Sequence, residues 1–243
     1  MVLALSRPSL FERKGQWGMG KGCETMELSP LSSKQSEQLV VEVLQKAENI
    51  PDAFRKNIVD HAEGNPFYVE ELIRMLLEDG IILKEDLTWR IRLDGLVDLK
   101  IPPTLTGIIQ ARLESLPKEE HVILQQASVM GRVFWDAAIA QLNQDRTLAQ
   151  ANTSKHLESL QSRDMIFQHA SSTISGETEY SFAHGILRDV VYETVLLKQR
   201  KSYHSLIADW LIGQREARAV EISSVIADHL VEAGRSDEGC DFS

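Results

Sequence analysis

From Leu31 onward, apolar residues return at three- and four-residue intervals in run after run, and each run is bounded by residues that start or stop helices. That rhythm commits the chain to packed helices, because only a period near 3.6 gathers such residues on one face. Ser32 and Gln35 form a capping-box pair ahead of Leu39, Val43, Leu44 and Ala47. Pro51 opens a second helix with Phe54, Ile58 and Ala62 on one side. The third begins at Gly64-Asn65-Pro66, carries Val69, Leu72, Ile73, Leu76 and Leu77, and stops at Gly80. The segment IILKEDLTWRIRLDG then alternates as a short hairpin or loop does, and Ile101-Pro102-Pro103 breaks the chain before a fourth helix with Leu105, Ile108, Ile109 and Leu113. These segments predict a helical bundle over residues 31–116.

Residues 117–198 follow a second pattern. Pro117 starts a helix through Met130, a short helix carries Trp135, Ala138, Ile139 and Leu142, and a longer polar one runs toward Leu157, Leu160 and Arg163. MIFQHA and EYSFAH, separated by the turn-rich SSTISGET, read as a hairpin in which Tyr180, Phe182 and His184 share a face. Three helices with a β-hairpin predict a winged-helix domain. Over 199–243, Tyr203, Leu206, Ile207, Trp210 and Leu211 make an apolar face, and a further helix ends at Gly234, as at the start of a helical repeat array. At the other end, Met1 to Leu5 is a short apolar run closed by Ser6-Arg7-Pro8, like a parallel strand leaving a sheet whose other strands are missing. The expected fold class is therefore mainly α: a helical bundle plus a winged helix, with a remnant strand of an α/β core in residues 1–30 and the start of an α-solenoid.

Composition narrows the function. With 36 acidic against 26 basic residues and a formal charge of −10, the chain does not present a whole-surface footprint for nucleic acid. No apolar run approaches a membrane span, MVLAL is too short for a signal-peptide core, and Cys23 and Cys240 match no metal or redox spacing. A cytoplasmic protein without a membrane partner is expected. GQWGMGKG, residues 15–22, comes close to a phosphate loop but ends in Gly22 where a magnesium-binding hydroxyl belongs, and no strand precedes it. No apolar strand ends in paired carboxylates. The chain is thus expected not to be an enzyme by itself, with no catalytic or metal-binding residue.

EGNPFYVEEL (63–72), IPPTLTGIIQARLESLP (101–117), FAHGILRDVVYETVL (182–196) and YHSLIADWL (203–211), in this order, resemble the C-terminal part of the ATPase module of STAND-type AAA+ signalling proteins. The resemblance runs over about residues 1–235 and is closest to members joined to adenylate/guanylate cyclases or found in large LuxR-type regulators. It implies a helical lid over 31–116, a winged helix over 117–198 and TPR-like repeats beyond, with residues 1–30 ending an AAA+ core. It also implies ATP or ADP, with magnesium, as the ligand of a longer parent protein, and no cofactor for this chain alone. Arg7 matches an arginine that senses phosphate, and is otherwise a solvated loop residue. Gly64 and Pro66 match an element whose proline packs on the adenine, and are otherwise a helix start. His184 matches a histidine that reaches the phosphate of ADP, and is otherwise a core residue. The implied function is an ADP/ATP-dependent signalling switch whose partners are the missing core and an effector domain or a second copy of the parent. The alternative is a winged-helix DNA-binding transcriptional regulator, for which Lys155, His156 and Arg163 supply a thin basic face beside Glu158 and Asp164.

Overall fold

A computed structural model describes residues 4, 6, 10, 14, 15, 20, 22–48, 50–85, 88–92, 101–143, 151–214, 219–235 and 237. The protein is mainly helical. In chain order the elements are α1 (Ser33–Val43), β1 (Ala47–Glu48), α2 (Asp52–Ala62), α3 (Pro66–Glu78), β2 (Ile82–Lys84), β3 (Trp89–Ile91) and α4 (Leu105–Glu114). There follow α5 (Lys118–Met130), β4 (Val133–Trp135), α6 (Asp136–Leu142), α7 (Ala151–Ser162), β5 (Ile166–Gln168), β6 (Glu179–Phe182), α8 (Gly185–Thr194), α9 (Leu197–Gly213) and α10 (Ala219–Ala233).

Local chemistry sets most boundaries. The Ser32 hydroxyl accepts from Gln35 N while Gln35 Oε1 accepts from Ser32 N at 2.9 Å, so the reciprocal cap forms as its spacing requires. Pro51 stands one position outside its helix, as an extended N-cap, and Asp52 follows with a carboxylate in the first turn, where the helix dipole favours it. Thr104 Oγ1 accepts from Gly107 N at 3.1 Å and starts α4 just after the double proline. The expected hairpin forms between β2 and β3, with Ile82 opposite Ile91, and β1 joins β3 in parallel. In the second sheet β6 lies between β4 and β5, with Phe134 opposite Tyr180 and Ile166 opposite Phe182.

Two corrections to the sequence reading concern register. Trp135 does not lie in the short helix: it ends β4, which pairs with β6, and α6 begins at Asp136. On α9 the buried side is His204, Ile207, Ala208 and Leu211, whereas Leu206 is 41% exposed. The α10 helix covers that side with Ile226 and Leu230.

The buried apolar residues fall into two clusters. One gathers Val40, Ile58, Leu72, Leu76, Ile82 and Ile108 from α1 to α4. The other gathers Leu124, Phe134, Leu160, Ile166, Phe182, Val191 and Leu211 from later elements. Helix α4 serves both, because Ile108 enters the first while its neighbour Ile109, turned by about 100°, enters the second with Leu113. Each such residue contributes roughly 1.5–3 kcal/mol when fully buried, so α4 ties the clusters through strong local terms. Among the described residues no helix is long and apolar enough to cross a membrane.

Candidate functional site

The turn from α2 into α3 takes three residues. Glu63 closes α2 in the left-handed region (φ 47°), Gly64 follows at φ 79°, and Asn65 Oδ1 accepts from Phe67 N at 3.0 Å to cap α3, with Pro66 as its first residue. Two consecutive left-handed residues reverse the chain sharply, and the second is the one that tolerates no side chain. A Cβ on Gly64 would lie 2.9 Å from both Leu31 N and Pro30 Cβ, and closer still to the Leu31 carbonyl oxygen. Leu31 N donates to the Gly64 carbonyl at 2.8 Å. The room beside Gly64 is therefore taken by the chain's own Pro30-Leu31 segment rather than left for a base ring, while Pro66 is exposed.

His184 is the N-cap of α8, half-buried, with an extended backbone and no side-chain capping bond. Its imidazole lies against the ring of Phe67, with centroids 4.0 Å apart and planes at 50°. The N-termini of α3 and α8, about 120 residues apart in sequence, thus meet through this one aromatic contact. Burial pushes the His184 pKa down; Arg74 and Arg132 add to that effect, and Glu71 and Glu70 oppose it. A ring held neutral here offers one N–H and one lone pair. The first-turn N–H groups of α8 and the positive end of its dipole lie at the same place, and together they suit an anion.

Beneath this contact lies a buried ion cluster. Arg112 of α4, 1% exposed, donates through Nη1 to Glu71 Oε2 and through Nε and Nη2 to both Glu78 carboxylate oxygens at 3.1 and 2.8 Å. Nη2 also donates to the Arg163 carbonyl at 2.8 Å, and Arg74 donates to Glu71 Oε1 at 2.7 Å. All three guanidinium nitrogens of Arg112 thus donate. The cluster binds α3, the helix that begins beside Phe67, to α4 and to the residue after α7. An open groove of about 300 Å³ on this cluster, lined by Arg74, Glu78, Lys84, Arg163 and Asp164 among others, includes neither Gly64, Pro66 nor His184.

Of the expected site residues, His184 touches the ring of Phe67, which follows Gly64 and Pro66 in the same helix start, and Arg7 lies outside the described residues. So do most of Met1 to Leu5 and of GQWGMGKG. Phe67 and Arg112 were not singled out by the sequence. Phe67 has the period of a helix-start residue and nothing more, while Arg112 sits in a run whose apolar neighbours dominate the pattern. On α7 Lys155 is exposed, but His156 and, one residue past the helix, Arg163 turn toward Glu120, at 3.9 and 3.6 Å.

Residues 32–90 match the family of a domain of unknown function, DUF8739. No curated protein matches the chain.

Proposed function

We propose that the chain is the lid, winged helix and first repeat of a STAND-type AAA+ nucleotide switch, acting in the cytoplasm within a longer parent protein. The observation that carries this reading is the meeting of the Gly64-Asn65-Pro66 helix start with His184 through Phe67. The resemblance implies two contacts to one ADP from parts of the sequence far apart, and the contact of Phe67, one residue after Pro66, with His184 supports that reading. The order helix, strand, two helices and two strands, with β6 central in its sheet, supports the winged-helix reading. The paired helices α9 and α10 support the beginning of a repeat array.

The residues fit the nucleotide in part. His184 and the α8 N-terminus suit its phosphate, and exposed Pro66 suits the face of its base. Among the described residues, no group of three or more carboxylates, cysteines or histidines could hold a metal ion; in this reading the parent's core supplies the magnesium and the attacking water. In this account ADP ties that core to the winged helix through His184, and exchange for ATP releases the tie. In this reading hydrolysis rests with the parent's core and not with this chain. The DNA-binding alternative gains no support from α7 and the residue after it, where His156 and Arg163 turn to Glu120 and leave Lys155.

The test is His184→Ala in the parent protein carrying its phosphate-loop core. A charge-assisted contact of about 1.5–3 kcal/mol implies a roughly ten- to hundredfold weaker affinity for ADP. A plain core histidine predicts a lower melting temperature without nucleotide and an unchanged affinity in the folded fraction.

A further inference from the structure

The outward face of the second sheet carries a cluster that the nucleotide reading leaves unused. His169, just after β5, has Nε2 2.9 Å from the Ser181 hydroxyl and Nδ1 3.5 Å from Glu179 Oε1. Glu179 is 5% exposed, and its other oxygen accepts from Thr173 N at 2.7 Å and from Thr173 Oγ1 at 2.6 Å. Burial pushes its carboxyl up, but the Thr173 bonds and the neighbouring His169 outweigh that and hold it below the usual range. A fixed carboxylate beside Nδ1 selects the tautomer with its proton there, which leaves the Nε2 lone pair aimed at the Ser181 O–H.

We propose that Ser181 is an activated nucleophile, a modification site that accepts an acyl group from activated esters or thioesters, with His169 as its general base and Glu179 as the positioning residue. Ser181 Oγ forms a bond to the acyl carbon as its proton moves to His169 Nε2. The bond from that carbon to the leaving oxygen or sulfur breaks, and His169 returns the proton to the leaving group. No electrons are gained or lost. The cross-strand partners of Ser181 are Val133 on one side and Phe167 on the other, and Phe167 is 48% exposed, so an acyl or aryl group meets apolar surface beside the hydroxyl.

The sheet also sets the limit of this chemistry. In the β5–β6 ladder His169 N donates to the Glu179 carbonyl and Ala183 N to the Met165 carbonyl, so the alternation makes Phe167 and Ser181 the bonded pair between them. The Ser181 N–H is thereby spent on the ladder and cannot stabilise an oxyanion. General-base assistance alone is worth about 10²–10⁴-fold, enough for a single acceptance and too little for turnover.

The experiment is to incubate the whole chain with p-nitrophenyl acetate and map the acetyl groups by mass spectrometry. One acetyl group on Ser181 is expected, formed roughly a hundredfold more slowly in His169→Gln and absent in Ser181→Ala. Glu179→Gln should slow it about tenfold on the native background and not at all on the His169→Gln background, a coupling that a merely structural role does not produce. His169 is exposed, so its variant keeps the fold; should Glu179→Gln melt early, Thr173→Val tests the same support more gently. Acetylation scattered over lysines without enrichment at Ser181, acetyl held only on His169, or an unchanged Ser181 rate in His169→Gln would each overturn the proposal.

Discussion

At the scale of single residues, Gly64 is the position where backbone and packing demand the same thing. Its φ of 79° is costly for any residue with a side chain, and the crossing Pro30-Leu31 backbone cannot yield as a flexible side chain could. Gly64→Ala is expected to destabilise the fold by about 2 kcal/mol or more, measured by urea unfolding. An unchanged midpoint would show that the Leu31 to Gly64 crossing is not formed in solution. The glycine was legible in the sequence as a turn before a helix start. Its reason was not, because the segment that excludes a side chain lies more than thirty residues earlier.

Between elements, α9 and α10 meet through a buried histidine pair, His204 and His229, whose Nδ1 atoms are 2.7 Å apart. Tyr192 OH lies 3.4 Å from His204 Nε2, and His229 also bonds the backbone at Met130. Only one proton fits between the two Nδ1 atoms, so charging both rings sets N–H against N–H. Burial, then the charge of His204, then Arg188 push His229 down to about 4. His204 is lowered by burial, with Arg188 and Arg200 adding to it and Glu232 opposing. Because the folded pKa values lie below the unfolded value of about 6.5, the pair's contribution is complete above that pH. It is lost as pH falls through 6.5 toward 4. His229→Gln, which keeps a polar side chain but removes the titrating ring, should flatten the fall in melting temperature between pH 7 and 5. Parallel curves for the variant and the unaltered protein would remove the pair as the cause.

The same scale shows which elements a sequence discloses. The Ser32 cap, the Asn65-Pro66 start, the Thr104 start behind two prolines and the hairpin around SSTISGET are written in neighbouring residues, and they formed. β1 and β4 are two and three residues long, too short for alternation to register, and each exists only because a distant strand supplies its partners. Leu206 reads as part of the buried face because it is apolar; the face is set instead by α10, with His204 buried and Leu206 41% exposed.

For the molecule as a whole, the two apolar clusters share α4 and are clamped by Arg112, which reaches Glu71 and Glu78 on one side and the Arg163 carbonyl on the other. Arg112→Ala leaves Glu71, 2% exposed, with Arg74 alone and removes the two-point partner of Glu78, and removal of one partner of a buried pair costs about 3–5 kcal/mol. The melting temperature should fall by roughly 6–20 °C, at about 2–4 °C per kcal/mol for a domain of this size. Adding Glu71→Gln should recover part of the loss. A double variant no more stable than Arg112→Ala would mean that the cluster acts through packing and not through charge. This frame was invisible in the sequence because Glu71 and Arg112 lie 41 residues apart on helices whose apolar stripes each looked complete.

The central claim is that the α3 and α8 helix starts face one nucleotide. Hydrogen exchange on the parent protein, with and without ADP, tests it most directly, since amides that meet a bound ligand exchange more slowly. The account predicts slower exchange at residues 64–68 and 184–188 together, with the second stretch losing its protection in His184→Ala. Protection at neither stretch while ADP is bound, or protection centred on residues 15–22 instead, would contradict it.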